Sequence, residues 1–170
     1  MINQSTNIES FLLELTKDIE CYYIKQKSLG SFEELNGNLI FSHYRPFNGK
    51  ITPLLIKQHL NKDITLAIDL KRDDTLLYEY RGDRVYAFGT LFFKLIDKSI
   101  IDILQIIKYD DNTLVIYLKF KNSQYIKSFK EKIESSLLLH LEKEWRVYPI
   151  KSRPKLGNLM ELPREIIEFF

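Results

Sequence analysis

From Thr75 to Ile150 the spacing of apolar residues switches between two and about 3.6 and back, twice over, and few folds accept that order. Thr75 to Arg81 alternates, with Leu76, Tyr78 and Tyr80 on one side and Leu77, Glu79 and Arg81 on the other. Asp83 is placed to cap a helix in which Val85, Phe88, Leu91, Phe92, Leu95 and Ile96 recur at helical intervals up to Ser99. Gly89 inside that helix costs about 1 kcal/mol against alanine, which points to close packing. Ile101–Tyr109 and Thr113–Phe120 flank Asp110, Asp111 and Asn112, the pattern of a hairpin. A second helix, capped by Asn122 or Ser123 and running to about Lys143, carries Ile126, Phe129, Ile133, Leu137 and Leu141 in one stripe. Glu144 to Ile150 reads as a last strand, sent to an edge by Pro149, which cannot donate to a ladder.

This order predicts an α+β fold with a ferredoxin-like, RRM-like βαββαβ core over about 75–150. Two helices would cover one face of the sheet. The other face would hold Leu77, Glu79, Arg81, Val115, Tyr117 and Lys119, with Arg146 and Tyr148 or their neighbours. Aromatics interleaved with cations on an open sheet of this topology are how RNA-recognition modules hold bases. Arg81, Tyr117, Lys119, Arg146 and Tyr148 are therefore candidate binding residues, and Lys151 and Arg153 of the basic tail extend the set. The competing reading packs the N-terminal third over that face and makes the tyrosines core rims; for the tail it is a solvated connector.

Before this core, Thr6 or Asn7 caps a short helix with Ile8, Phe11, Leu12 and Leu15 on one side. Strands are expected at Glu20–Lys25, Asn38–Tyr44 and Asp63–Leu70, with helical character at Ser31–Leu35, a turn at Asn36-Gly37 and a loop at Arg45–Lys50. Thr52 and Pro53 open a helix that stops near Asn61. After Ile150, Pro154, Gly157 and Pro163 keep the chain extended, and Pro163 opens a last helix through Phe170. No linker composition interrupts the chain. The expected organisation is a single domain, 1–170, with residues 1–70 as an N-terminal α/β extension packed on the core and 151–170 as a tail.

Hydrophobic residues make up 45% of the 170, enough for a sizeable core. A net charge of +2 is too near neutral to imply a nucleic-acid or anionic-membrane partner by itself. The lone Cys21 allows no intrachain disulfide, the polar start is unlike a signal peptide, and no apolar run approaches a membrane span. A cytoplasmic location without a membrane partner is expected.

Chemistry-bearing motifs are scarce. His43, His59 and His140 lie at no metal-ligand spacing, so neither a metal nor another cofactor is expected. Asp73-Asp74 and Asp110-Asp111 sit on turns, where aspartate bonds its own backbone. Glu79, mid-strand beside Arg81, is expected in a salt bridge between strands. Neither a G-x-G-x-x-G, a Walker A nor a G-x-S-x-G sequence occurs. The case for an enzyme is correspondingly poor.

Several stretches together resemble an uncharacterised family of small campylobacterial (ε-proteobacterial) proteins. They are Asp18–Lys25, Leu54–Leu60 with Ile64–Ala67, Tyr78–Gly82 and Glu144–Pro149. The resemblance implies a cytoplasmic bacterial α+β protein. That family's acidic and histidine-bearing strands are similar in layout to those of archaeo-eukaryotic-type primases. Glu79 would take the acidic position, but Thr113–Tyr117, the counterpart of the histidine strand, contains no histidine, which argues against nucleotidyl transfer. Three functional readings follow: a nucleic-acid-binding module, a protein-interaction or assembly component using a sheet edge or apolar groove, and a degenerate nucleotide-acting enzyme with Glu79 and Asp69 as its carboxylates. The oligomeric state stays open.

Overall fold

The computed structural model describes residues 7–26, 31–141, 144–153 and 155–165. In chain order its elements are α1 (Ile8–Thr16), β1 (Cys21–Lys25), β2 (Ser31–Leu35), β3 (Asn38–Ser42), β4 (Tyr44–Asn48), α2 (Pro53–Leu60), β5 (Leu66–Asp69), β6 (Thr75–Arg81), α3 (Val85–Leu95), β7 (Ile101–Asp110), β8 (Thr113–Phe120), α4 (Tyr125–His140), β9 (Trp145–Tyr148) and β10 (Leu159–Glu161). Short 3₁₀ turns precede β7 and β10. The fold is α+β, and its contacts gather into two compact units. One is drawn from Met1–Leu70 and Ile150–Glu165, the other from Lys71–Pro149 between them in sequence.

In the first unit the order β10-β5-β1-β4 makes a four-stranded antiparallel sheet, and β2-β3 makes a separate ribbon. Asn7 starts α1, its side chain accepting the Glu9 N–H, and Thr52 starts α2 by accepting the Leu55 N–H, with Pro53 next. α1 buries Phe11, Leu12 and Leu15, and packs against α2; α2 in turn meets β5. Three expectations fail here. Ser31–Leu35 is strand rather than helix: Asn36 and Gly37 both take positive φ (51° and 79°), the twist that returns a tight hairpin. The expected strand Asn38–Tyr44 breaks at His43, where the Ser42 hydroxyl accepts the Tyr44 N–H at 3.1 Å. The expected loop then becomes β4, whose Pro46 is tolerated because the strand lies at a sheet edge.

The C-terminal stretch, expected as a tail, also contributes β10, which completes this sheet beside β5. Fully buried Asn158 sets its approach: Oδ1 accepts the Ile150 N–H at 2.6 Å, and Nδ2 donates to the carbonyls of Ile150 and Arg153 at 3.1 and 3.2 Å. The helix expected beyond Pro163 falls largely on residues outside the described ones.

The second unit has strand order β7-β8-β6-β9 with every neighbour antiparallel. Its elements run strand, helix, strand, strand, helix, strand, and β6 and β8 have the expected bounds. Leu76, Tyr78 and Tyr80 of β6 meet Phe88 and Phe92 of α3 and Phe129, Ile133 and Leu137 of α4 in one core with Leu114, Ile116 and Leu118 of β8. Each such fully buried side chain contributes about 1.5–3 kcal/mol. Asp83 does not cap α3. The hydroxyl of Tyr80 accepts the Arg84 N–H instead, at 3.1 Å, and itself donates to Glu144 Oε2 at 2.8 Å. α3 also stops at Leu95, before the expected Ser99.

Candidate functional site

Strand register decides which of the candidate residues share a surface. Glu79 is opposite Arg146 on one side and Val115 on the other, and Leu77 is opposite Tyr148 and Tyr117. Alternation therefore places Leu77, Glu79, Arg81, Val115, Tyr117, Lys119, Arg146 and Tyr148 on the helix-free face, as the sequence implies. Much of that face is withdrawn from solvent. Tyr117 keeps 2% of its exposure, and Leu77, Val115 and Ile107 are buried with it. Burial also pushes the Tyr117 hydroxyl far above the ordinary tyrosine range. A ring so enclosed has no free face on which a base can stack, so Tyr117 does not serve as a stacking platform in this structure.

At the β6–β9 edge the face opens. The Glu79 carboxylate is nearly buried, and Arg81 from the same strand clasps it, Nε at 2.6 Å and a terminal nitrogen at 2.5 Å from Oε1. Tyr148 donates its hydroxyl to Oε2 at 3.1 Å. The ion pair thus runs along one strand, not between strands as expected, because Glu79 and Arg81 are two residues apart on one face. A cleft of about 350 Å³ lies beside it, lined by Glu79, Arg81, Glu144, Trp145 and Arg146. Arg81, with its side chain 69% exposed, and Arg146 supply cations there, while Glu79 and Glu144 balance them.

The remaining candidates separate. Lys119 is mostly buried and faces Asp102 at 3.9 Å. It lines a more open cleft of about 640 Å³ in which Arg72 also pairs with Asp74, at 3.4 Å. Lys151 and Arg153 are exposed in the first unit, on the turn that leads from Ile150 to Asn158. Asp69 belongs to the first unit and Glu79 to the second. Among the described residues no three of His, Cys, Asp and Glu come together in a way that could hold a metal ion, and no helix is long and apolar enough to cross a membrane.

His59 has a structural post in the first unit. It is fully buried; its Nδ1 accepts the Leu66 N–H at 3.2 Å, and its Nε2 lies 3.0 Å from the Leu162 carbonyl. Arg164 reinforces the same corner, donating to the carbonyls of His59 and Ile64 and to the Thr65 hydroxyl.

Two surfaces were not singled out by sequence. On the β2–β3 ribbon Phe32 is opposite Phe41, their ring centroids 5.1 Å apart, and Phe32, Leu39 and Phe41 are 67%, 72% and 47% exposed. The Asn36-Gly37 turn flanked by apolar residues was the available signal, masked by the helix-forming Glu33, Glu34 and Leu35. Between α3 and α4 lies a cleft of about 480 Å³ with Ala87, Leu91 and Leu141 in its walls and Arg84, Lys94 and His140 around it. No protein-family model and no curated protein matches this chain.

Proposed function

We propose that this is a cytoplasmic protein-interaction module: a ferredoxin-like βαββαβ unit, with strand order β7-β8-β6-β9, carried in sequence between the two parts of a second α/β unit. The observation that supports the interaction reading is the ribbon. Two aromatic rings and a leucine stand exposed together on a two-stranded element, where isolated ribbons are marginally stable and need a covering surface. Burial of two phenylalanines and a leucine at a contact contributes several kcal/mol before association costs, about 1.5–3 kcal/mol for each.

The test is a photo-crosslinking amino acid at Phe41, with the same group at exposed Lys127, which lines neither the ribbon nor any of the clefts described above, as the control. A discrete protein adduct from position 41, lost on Phe32→Lys, is expected. Equal, diffuse labelling from both positions refutes the reading.

A second reading, contact with nucleic acid, draws on Arg81 and Arg146 beside the β6–β9 cleft. With Tyr117 enclosed, it would be a phosphate contact without base stacking, and hence strongly salt-dependent. Fluorescence anisotropy with single-stranded DNA and RNA at two salt concentrations tests it; no salt-dependent binding at micromolar protein excludes it.

A further inference from the structure

We infer that the cleft between α3 and α4 is a docking groove for an acidic amphipathic helix of a partner protein. This rests on the interaction reading but concerns a different surface from the ribbon.

The groove combines apolar walls with charge of one sign. Leu91 and the buried Leu141, with Ala87 and the ring of Tyr86, form its apolar part. Tyr86 is 68% exposed, although it sits on a helix whose other aromatics are buried or half-buried. Arg84, Lys94 and His140 are exposed around the groove, and among the described residues no carboxylate lines it. Of the described acidic residues that flank the groove in sequence, Asp83 and Asp97 are absent from its lining, and Glu144 is bound to the Tyr80 hydroxyl and faces the β6–β9 cleft.

Geometry selects the occupant. Arg84 and Lys94 stand ten positions apart along α3, roughly 15 Å at the helical rise, with the apolar wall between them. A partner helix of about three turns has that length, and its leucines at i, i+4 and i+7 would cover Leu91 and Tyr86. Carboxylates near its two ends would then meet Arg84 and Lys94. A nucleic-acid strand fits less well. It carries charge at every nucleotide and offers little apolar surface to the stretch between the cations. A groove of this kind derives its partner choice and encounter rate from the charges, and most of its adhesion from the apolar strip.

The probe is a capped synthetic peptide of about 12 residues, with leucines on one face and glutamates flanking them, titrated into the full ¹⁵N-labelled chain. A scrambled peptide of equal composition and a single-stranded oligonucleotide of equal charge serve as comparators. The expected result is saturable shifts confined to residues of α3 and the C-terminal turn of α4. Binding should weaken at least about ten-fold for R84E/K94E, whose positions are solvent-exposed, and for the scrambled peptide. Separately, Ala87→Gln should weaken binding by obstructing the wall without altering charge. Shifts elsewhere, equal binding of the scrambled peptide, or preference for the oligonucleotide overturns the assignment. Failure here with the position-41 crosslink intact removes the groove alone; loss of both removes the interaction reading itself.

Discussion

Acidification should weaken the first unit through the buried His59. The buried ring satisfies both neighbours only when neutral and protonated at Nε2, which donates to the Leu162 carbonyl while Nδ1 accepts the Leu66 N–H. Burial, and after it the charge of Arg164, hold its pKa below the free value of 6.5. The unfolded chain therefore takes up the proton first. Stability is complete above about pH 6.5 and is lost as the pH falls toward the lower folded-state value. The slope cannot exceed about 1.4 kcal/mol per pH unit, so a descent from about pH 6.5 to about pH 5 removes up to about 2 kcal/mol. That is a large share of a typical folding stability of about 5–15 kcal/mol.

His59→Phe supplies the control. It should lower stability by about 2–4 kcal/mol at neutral pH, because the Leu66 N–H and Leu162 carbonyl lose their partner. It should also remove the extra pH slope. Glu161 does not confuse the window: burial works to raise its pKa, but the Tyr44 hydroxyl and Lys25 hold it below the usual carboxylate range, so its contribution is lost only at lower pH. Urea unfolding of both proteins across this range, followed by near-ultraviolet circular dichroism, gives the comparison. Parallel pH profiles for wild type and variant would refute the reasoning.

Other substitutions separate satisfied from unsatisfied buried groups. Among the described residues the Tyr78 hydroxyl has no hydrogen-bond partner whereas that of Tyr80 has two, so Tyr78→Phe should be neutral or stabilising and Tyr80→Phe should cost about 1–2 kcal/mol in chemical denaturation. Asn158→Ala should cost about 2–4 kcal/mol and speed amide exchange in β10, since three backbone groups lose their side-chain partner. Gly82→Ala should disturb the Tyr80–Glu144 pair, because an added Cβ would stand 2.9 Å from the Tyr80 hydroxyl; a shifted tyrosine absorbance or NMR signal would register it.

The second unit was far more legible than the first. β6, β7, β8 and α4 announce themselves because each runs long enough to show its period and presents one clean apolar face to a shared core. The first unit is built from strands of three to five residues, too short for alternation to register against local composition. Glu33 and Glu34 argued for helix, Pro46 argued for loop, and the three residues of β10 carry no pattern; pairing with a neighbour settled all of them.

The candidate site was legible only as a list of residues sharing a face. Register confirms that Glu79, Arg81, Arg146 and Tyr148 come together, because alternation is a local property. Burial is not local, and nothing in the sequence around Tyr117 distinguishes a ring meant for solvent from one that is enclosed. The cationic groove was invisible for a related reason: Arg84 and Lys94 lie on α3 and His140 at the end of α4, and only packing unites them.

Carbene footprinting of the protein, in buffer and in an extract of the cells it comes from, separates the ribbon from the β6–β9 edge as the contact surface. Protection of Phe32, Leu39 and Phe41 in the extract is expected, with the segment around Arg81 and Arg146 unchanged. Protection confined to the β6–β9 edge, with the ribbon labelled equally in both conditions, would contradict it.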